Sequence, residues 1–320
     1  MKCRNASSEH KLQRRRKCLS CGYFRRLFSM LEPSVWSGAR CDHMSILSIQ
    51  SRVVSGYVGN AAAVPVLQRL GRTVWPIDTV TFSNHPAQGP HTGSTKRPTE
   101  IQALVDGLSQ HNLLTRCDAV LSGYLGSANT GPVVLASAKQ VRNGNPSALW
   151  CCDPVMGDHG QFYVPEDIPP FFRDHALPAA DIVFPNTFEA AYLSGMPVET
   201  VQEAVMAANA LLDRGPITVV ISGIIEGNQL GALAADANGH WKCMTPTINA
   251  PAYGAGDVFT ALFVSQFLAN KNLPNALGQA VSGIHKILAA TAKAQTDDLN
   301  LIAALPALDD LVPFPVERVG

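Results

Sequence analysis

Pro251-Ala252-Tyr253-Gly254-Ala255-Gly256-Asp257 decides the fold, together with the apolar run that follows it from Val258 to Leu268. Because this run is apolar on nearly every side, it predicts a buried helix. Two glycines that flank one small residue leave backbone N–H groups uncovered, and the N-terminus of a helix attracts anions. The stretch therefore predicts an anion site where a buried helix begins.

Asp257 falls in the first turn of this helix, beside the predicted anion site. A carboxylate would repel a resting phosphate there, but it could take the proton from a hydroxyl group that attacks phosphorus. An acidic residue in a first turn can equally serve only to complement the helix dipole. From these residues alone, both interpretations stay open.

The composition limits the classes of function. The chain has 320 residues, 46% of them hydrophobic, and its formal net charge is zero, so bulk charge gives no argument for a nucleic-acid partner. No segment is apolar over about 18 residues or more, so we expect no membrane span. The cysteines near apolar runs resemble core thiols, which suggests a reducing compartment.

Residues 1–43 are basic and show no sustained hydrophobic period. We expect this extension to be disordered or to lie outside the fold, and residues 44–320 to form a single domain. The extension could be an organelle-targeting segment or sequence upstream of a start at Met44. Its Cys18-x-x-Cys21 pair is only half of a zinc pattern.

Short β-branched runs alternate with segments of helical period along the rest of the chain. This alternation predicts an α/β fold in which a mainly parallel central sheet carries helices on both faces. Pro76 places the second strand toward a sheet edge, and Asn238-Gly239 predicts a hairpin turn. The predicted strands are 45–51, 73–82, 119–122, 148–152, 182–184, 217–221, 230–235 and 240–244.

Helix boundaries follow from capping signals. Asn60 is predicted to cap a helix that continues through Leu70, and Thr99 with Gln102 and Thr200 with Glu203 form two predicted capping boxes. Residues 84–98 lack any period and predict a long loop that could act as a lid. The predicted core face of the helix after this loop is Ile101, Leu104, Val105 and Leu108.

Polar side chains follow the predicted strands at their carboxyl ends, where ligands bind in sheets of this kind. Three carboxylates among them suggest a site for a hard cation such as Mg²⁺, which takes one or two carboxylates with phosphates and waters. Each carboxylate could instead belong to a turn or to the first turn of a helix. The clustered residues are Ser51, Tyr124, Asp153, Asp158, Asn186, Glu189 and Ser222.

No Walker P-loop is present, and the third glycine of the dinucleotide-binding pattern is missing after Gly254-Ala255-Gly256. Residues 44 to about 293 nevertheless resemble the pyridoxal kinases of the ribokinase-like superfamily. Gly254-Ala255-Gly256-Asp257 alone would indicate only the superfamily. The segments that carry the resemblance to pyridoxal kinases are 49–54, 56–60, 82–85 (Phe-Ser-Asn-His), 121–124, 152–158 (Cys-Asp-Pro-Val-Met-Gly-Asp), 163–167 and 185–189.

The resemblance implies ATP-dependent phosphorylation of the 5′-hydroxymethyl group of pyridoxal, and by extension of pyridoxine and pyridoxamine, to give pyridoxal 5′-phosphate from the first. Asp257 would be the catalytic base, and the N–H groups of Gly254, Ala255 and Gly256 would form an anion hole. Asp257 would also join the substrate-binding residues Ser51, Val58, Phe82, His85 and Tyr124. The implied ATP-binding residues are Asp153, Asp158, Tyr163, Asn186, Glu189 and Ser222, of which Asp153, Asp158 and Glu189 would position Mg²⁺, directly or through water.

The same resemblance implies a homodimer, a cytoplasmic enzyme and often a monovalent cation such as K⁺ or Na⁺. Pro86 stands where the family commonly has Thr, and Phe184 stands where it often has Thr before Pro-Asn. The first change suggests an alternative substrate, a related hydroxymethyl heterocycle such as hydroxymethylpyrimidine. An alternative of another class is a non-catalytic binder of vitamin B6 or nucleotide.

Overall fold

A computed structural model of the protein describes residues 44–320, and a ten-stranded sheet runs through this part of the chain. The predictions for residues 1–43, including the Cys18-x-x-Cys21 pair, lie outside the described residues. The expected mainly parallel sheet is confirmed, because six neighbouring strands pair in parallel and the strands at both ends add antiparallel pairs.

The order of strands across the sheet is β12-β11-β10-β9-β8-β5-β4-β1-β2-β3. A separate two-stranded hairpin, β6 and β7, follows β5 in the chain. The strand bounds are β1 Ser45–Val53, β2 Thr73–Phe82, β3 Gly93–Thr95, β4 Cys117–Ser122, β5 Leu149–Cys152, β6 Gly157–Asp158, β7 Gln161–Phe162, β8 Ile182–Val183, β9 Thr218–Glu226, β10 Gln229–Asp236, β11 Gly239–Pro246 and β12 Val316–Val319.

Helices cover both faces of the sheet, as predicted, and each face has its own buried apolar cluster. One cluster includes residues of α2, α3, α5 and α6, and the other includes residues of α1, α7, α8 and α9. The helix bounds are α1 Asn60–Arg69, α2 Pro98–Gln110, α3 Gly131–Gly144, α4 Ile168–Phe171, α5 Thr187–Ser194, α6 Val201–Leu212, α7 Ala255–Asn270, α8 Leu273–Ala294 and α9 Leu301–Ala304.

Helix α7 is the buried helix that the opening stretch predicts. Every residue from Val258 to Ser265 is buried, and so are Phe267 and Leu268. The helix packs against α1 and α8. Its apolar residues are buried on all sides, because neighbouring elements surround it. Among residues 44–320, no helix is long and apolar enough to cross a membrane.

The start of α1 differs from the prediction. Gly59 occupies the N-cap position, and Asn60 is the first helical residue, with its side chain turned into the protein and buried. Its amide accepts a hydrogen bond from Ser48 Oγ at 2.7 Å and donates to the carbonyl of Ile77 at 3.2 Å and to Asp78 Oδ1 at 2.8 Å. Asn60 therefore joins strands β1 and β2 instead of capping the helix.

The start of α2 also differs. Pro98 is the first helical residue, and Glu100 accepts a hydrogen bond from the N–H of Arg97 at 2.9 Å, so the predicted Thr99–Gln102 box is wrong by two residues. Proline at the first position has no N–H to leave unpaired, which favours this start. Ile101 and Val105 are buried as predicted, but Leu104 is 48% exposed.

The structure also tests four other sequence predictions, which concern a loop, an edge strand, a hairpin and a capping box. The loop over residues 84–98 is not without structure, because it contains a 3₁₀ turn at Pro86–Gln88 and strand β3. β3 pairs only with Val80–Phe82, so Pro76 meets no strand on its outer side among the described residues, as predicted for an edge. The Asn238-Gly239 hairpin and the Thr200–Glu203 capping box are both confirmed.

Replacing Asn60 tests whether its buried amide stabilises the junction of β1, β2 and α1. We expect Asn60→Ala to lower the free energy of unfolding by about 1–3 kcal/mol, because Ser48 and the strand acceptors lose a buried partner. Urea unfolding followed by far-UV circular dichroism measures this change. The matched control is Asn143→Ala, at an exposed position near the end of α3, which we expect to change the free energy by at most about 0.5 kcal/mol.

Candidate active site

The turn before α7 is pressed against the turn before α1. Gly254 is the N-cap of α7 and has a φ of +82°, which favours glycine. A Cβ atom at Gly254 would also overlap the carbonyl oxygen of Tyr57. At Gly256, by contrast, no atom of the described residues lies within 4 Å of the place where a Cβ would stand. Gly254 thus allows a close contact between two backbone segments, and Gly256 borders open space.

The N–H groups of this turn are not all free. Ala255, which we expected to offer its N–H to a phosphoryl oxygen, instead donates to the carbonyl of Ala252 at 2.9 Å, because residues 252–255 form a closed turn. The N–H of Val258 donates to the carbonyl of Gly254 at 3.0 Å. Within the described residues, the N–H groups of Gly254, Gly256 and Asp257 have no backbone acceptor outside the helix. Of the three N–H groups expected to form an anion hole, those of Gly254 and Gly256 thus remain available to a ligand.

Asp257 lies in the first turn of α7 and is partly exposed. The loss of surrounding water raises the pKa of its carboxyl to about 6, although the approaching N–H of Gly59 lowers that pKa. A carboxylate with a pKa near neutrality is a stronger proton acceptor than an ordinary aspartate and is still mostly ionised at pH 7.

Asp153 follows β5 and is only 7% exposed. Its Oδ2 accepts a hydrogen bond of 3.4 Å from Oγ1 of Thr260, one turn beyond Asp257 on α7. Burial raises the pKa of Asp153 well above its usual value, and the negative charges of Glu189 and Asp257 raise it further. The three carboxylates therefore lie close enough for their charges to repel one another.

Glu189 is buried at the start of α5 and holds two chain segments together. Its Oε2 accepts the N–H of Asn186 at 2.9 Å, and its Oε1 accepts the N–H of Met156 at 2.9 Å. Burial raises the pKa of Glu189 to about 8, against the effect of these donors. Glu189 thus forms a capping box with Asn186, which agrees with the alternative that this acid belongs to the first turn of a helix. It also lies within electrostatic reach of Asp153 and Asp158.

Asp158 and Tyr163 belong to the β6–β7 hairpin and the residue after it. The carboxylate of Asp158 is 51% exposed and accepts the N–H of His159 at 2.7 Å, so it lies at the rim of the cluster. The pKa of the Tyr163 phenol is raised by loss of water and by the charges of Glu189, Asp153, Asp257 and Asp158, in that order. The phenol is therefore within electrostatic reach of Asp257 and of the three acids that the sequence placed at strand ends, although Tyr163 is 58% exposed.

Asp158 has the imidazole of His159 at 3.6 Å, but the other three acids have no cationic partner within the part of the chain that the structure describes. No Lys, Arg or His there forms an ion pair with Asp153, Glu189 or Asp257. In the same residues, no three His, Cys, Asp or Glu side chains are arranged as a ready metal cluster. Buried, mutually repelling oxygen ligands nevertheless suit a hard divalent cation that brings its own waters and phosphates.

Asn186 and Ser222 lie side by side on neighbouring chain segments. They form an isolated parallel bridge, and Ser222 donates its N–H to the carbonyl of Pro185 at 3.0 Å. The amide of Asn186 donates to the carbonyl of Gly157 at 2.8 Å, which ties α5 to the β6–β7 hairpin. Asn186 follows β8 and precedes α5, as predicted, but Ser222 lies inside β9, because this strand continues to Glu226 instead of ending at residue 221.

The residues expected at the pyridine ring come from β1 and β2 and from the segments that follow β1, β2 and β4. Ser51 and Val58 are buried, and Ser51 contacts Gly59 so closely that a Cβ at Gly59 would overlap it. Tyr124 is half-buried, and burial raises the pKa of its phenol. Since Gly59 also approaches Asp257, Ser51 lies next to the proposed base.

Phe82 is the last residue of β2, and His85 lies in the segment that follows this strand. The Phe82 ring packs on the ring of His91 at 4.7 Å between centroids, and the His85 ring stacks on Tyr253 at 4.8 Å. Phe184, which stands where the family often has Thr, is buried in the core against Phe263, with 5.2 Å between ring centroids.

Sequence reasoning missed three residues that contact the site. Thr260 could have been found, because it stands three residues after Asp257 on the same helix and so shares its face. Gly59 and Tyr253 carry no such local signal, since their contacts come from segments distant in sequence.

Comparisons with known proteins agree with this geometry. The family profile described as phosphomethylpyrimidine kinase matches residues 86–300. The protein named pyridoxal kinase PdxY from Rubrobacter xylanophilus is 42% identical over 284 residues, which cover 87% of this chain and 98% of the relative.

Two solved structures extend the comparison. The pyridoxal kinase from Leishmania donovani in complex with ADP and pyridoxine is 30% identical, with a TM-score of 0.82 over 87% of this chain and 100% of the other. A putative phosphomethylpyrimidine kinase from Bacteroides thetaiotaomicron is 26% identical, with a TM-score of 0.81 over 88% of this chain and 100% of the other. With its glycine turn, its buried acids and its ribokinase-like sheet, the chain belongs to the pyridoxal kinase family.

Proposed function

We propose that the protein transfers the γ-phosphoryl group of ATP to the 5′-hydroxymethyl group of pyridoxal, with pyridoxine and pyridoxamine as further substrates. The observation that carries this proposal is the position of Asp257. It begins a buried helix beside the open side of Gly256 and within electrostatic reach of Asp153. The named activity of the Rubrobacter xylanophilus relative supports the choice of substrate.

In this proposal Asp257 takes the proton of the attacking hydroxyl group. The N–H of Gly59 steadies the carboxylate, and partial burial keeps its pKa near 6, so the group is both ionised and basic at neutral pH. The attacking oxygen then forms a bond to the γ-phosphorus while the bond to the β–γ bridging oxygen breaks, and ADP leaves. Asp257 carries the proton at the end of this step.

The start of α7 would stabilise the transferred phosphoryl group. Free N–H groups of Gly254, Gly256 and Asp257 lie at the positive end of the α7 dipole. Donors fixed in a partly buried site stabilise developing negative charge better than water does, because they need no reorientation. The missing side chain at Gly256 leaves the approach to these donors open.

The buried acids would hold Mg²⁺ with the nucleotide. Asp153 and Asp158 are the proposed ligands, directly or through water, and Glu189 would act mainly by fixing the hairpin that carries Asp158. When bound, the cation neutralises charge on the phosphate oxygens. Asn186, Ser222 and Tyr163 would border the nucleotide, because they surround the same acids.

The vitamer ring would lie on the side of Asp257 opposite the nucleotide. Ser51 and Val58 provide a buried wall next to Gly59, and Tyr124, Phe82 and His85 provide the remaining contacts. This arrangement would present a hydroxymethyl group to Asp257 while the ring is held by groups from β1, β2 and β4. The resemblance to the family further supports a cytoplasmic homodimer that uses K⁺ or Na⁺.

A second candidate is phosphorylation of a hydroxymethylpyrimidine. The description of the matching family profile and the Bacteroides thetaiotaomicron structure favour it, and so does Pro86, which removes a hydroxyl and a backbone donor from the substrate loop. A non-catalytic binder is the weaker alternative, because a carboxylate with a raised pKa beside free N–H groups is arranged for proton transfer.

The test is a product assay with purified protein, Mg²⁺-ATP and each candidate acceptor. We expect turnover with pyridoxal and with at least one other B6 vitamer, and little with hydroxymethylpyrimidine. Asp257→Asn should lower kcat by about 10²- to 10⁴-fold, because the amide cannot take the proton. The matched control is Asp297→Asn, at an exposed acid that no described hydrogen bond involves. Absence of product with all three vitamers would contradict the proposal.

The pH dependence follows from the raised pKa of Asp257. Below a pH of about 6 the carboxyl is protonated and cannot act as base, so kcat/KM should fall about tenfold per pH unit on the acid side and level off above it. Initial rates between pH 5 and pH 8, with both substrates subsaturating, give the profile. An acid limb that is unchanged in Asp257→Asn would assign the titration to another group.

Substitutions of the two glycines in the turn should have different effects: one on the stability of the fold and the other on catalysis. We expect Gly254→Ala to destabilise the fold by about 2 kcal/mol or more, because alanine is strained at this φ and its Cβ overlaps Tyr57. Gly256→Ala should unfold like the wild type, since its Cβ meets no described atom, yet lower kcat/KM by about tenfold or more by obstructing the phosphoryl group. Urea unfolding and initial rates measure both. A fully active, stable Gly256→Ala protein would remove the turn from the mechanism.

A further inference from the structure

Tyr253 immediately precedes the glycine turn and has no role in the mechanism above. Its ring stacks on the imidazole of His85, with 4.8 Å between centroids and 30° between ring planes. The side chain remains 43% exposed. The stack therefore holds one face of a ring that is otherwise partly open to solvent.

The stack joins two segments with different tasks. His85 belongs to the loop of residues 83–92, which leads from β2 to β3, whereas Tyr253 belongs to the turn that begins α7. A second contact holds the same loop, since the amide of Gln88 donates to Asp298 Oδ1 at 2.7 Å. Two contacts therefore hold this loop against the rest of the protein. One is to Tyr253 in the turn before α7, and the other is to Asp298 in the segment after α8.

The orientation of His85 has a chemical consequence. Its Nδ1 accepts the N–H of Ala87 at 3.3 Å, at the start of the 3₁₀ turn. Burial lowers the pKa of His85, so the ring is neutral near pH 7 and its proton resides on Nε2. Among the described residues, Nε2–H has no hydrogen-bond acceptor, which leaves it available to an acceptor on a ligand.

We propose that Tyr253 is a positioning residue for the vitamer. By stacking on His85, it holds the loop of residues 83–92 in place. It thereby directs the Nε2–H donor of the imidazole toward an oxygen atom that is bound to the pyridine ring or to its 4-substituent. This inference rests on the proposed function for the identity of the ligand. A 3-oxygen or a 4-aldehyde oxygen accepts from Nε2–H, whereas a protonated 4-aminomethyl group does not. Tyr253 therefore acts on vitamer binding through His85 and leaves ATP binding unchanged.

The kinetic test compares Tyr253→Ala with Tyr253→Phe. We expect Tyr253→Ala to raise KM for pyridoxal between about twofold and tenfold, the range that loss of one aromatic pair predicts. Its KM for ATP should stay within about twofold, because the stack contacts no proposed nucleotide residue. Tyr253→Phe should behave like the wild type, since the ring alone makes the stack. Met206→Ala, an exposed truncation on α6, serves as the control.

A double-mutant cycle tests whether Tyr253 acts through His85. If it does, Tyr253→Ala should have no further effect on the KM for pyridoxal in a His85→Ala protein. Additive effects of the two substitutions would overturn the proposal. A rise in the KM for ATP, or a Tyr253→Phe protein as impaired as Tyr253→Ala, would overturn it as well.

A measurement without substrate separates this inference from the proposed function. Hydrogen exchange of the peptide covering residues 83–92 should be faster in Tyr253→Ala than in the wild type, and unchanged in Tyr253→Phe, because the stack holds the loop closed. Equal exchange in all three proteins would overturn the positioning role, whatever the activity. Absence of vitamer turnover in the wild type would instead contradict the proposed function.

Discussion

The close backbone contact between Gly254 and Tyr57 is the constraint on which the site depends. It presses the turn that begins α7 against the turn that begins α1, and so brings the N–H of Gly59 to the carboxyl of Asp257. Through Thr260 the same helix reaches Asp153 at the end of β5. A side chain at position 254 would separate these segments, and the acids would no longer face one cleft.

Within the described residues, the site holds acids that have no cationic partner, and this raises its electrostatic free energy. Asp153, Glu189 and Asp257 all have raised pKa values, mainly because they have lost water. Such a group is stabilised only when a cation or a proton arrives. The arrangement costs stability in the free protein, and it suits a site whose proposed ligands bring a metal ion and an exchangeable proton. Glu189 reduces this cost with backbone donors that also fix the β6–β7 hairpin.

Much of the fold could be predicted because its signals are local. The all-round apolar run of α7, the alternation of strands and helices, the Asn238-Gly239 turn and the Thr200–Glu203 box need only neighbouring residues to be recognised. The errors have a common cause. Asn60 is of a residue type that caps helices, but a buried donor on β1 and acceptors on β2 compete for its side chain. Leu104 has the right period, but no element of the described residues covers it. Tertiary partners override local preference in both cases.

The sequence by itself determined the class of fold, the family, and the residue types available at the carboxyl ends of the strands. It also determined that Asp257 must begin a buried helix behind a glycine turn. Only the tertiary structure decided which N–H groups of that turn are free, that Asn186 caps α5 by accepting the N–H of Glu189, and that Tyr253 stacks on His85. Hydrogen-bond partners and ring contacts depend on distances between segments far apart in the chain, and no local pattern encodes those distances.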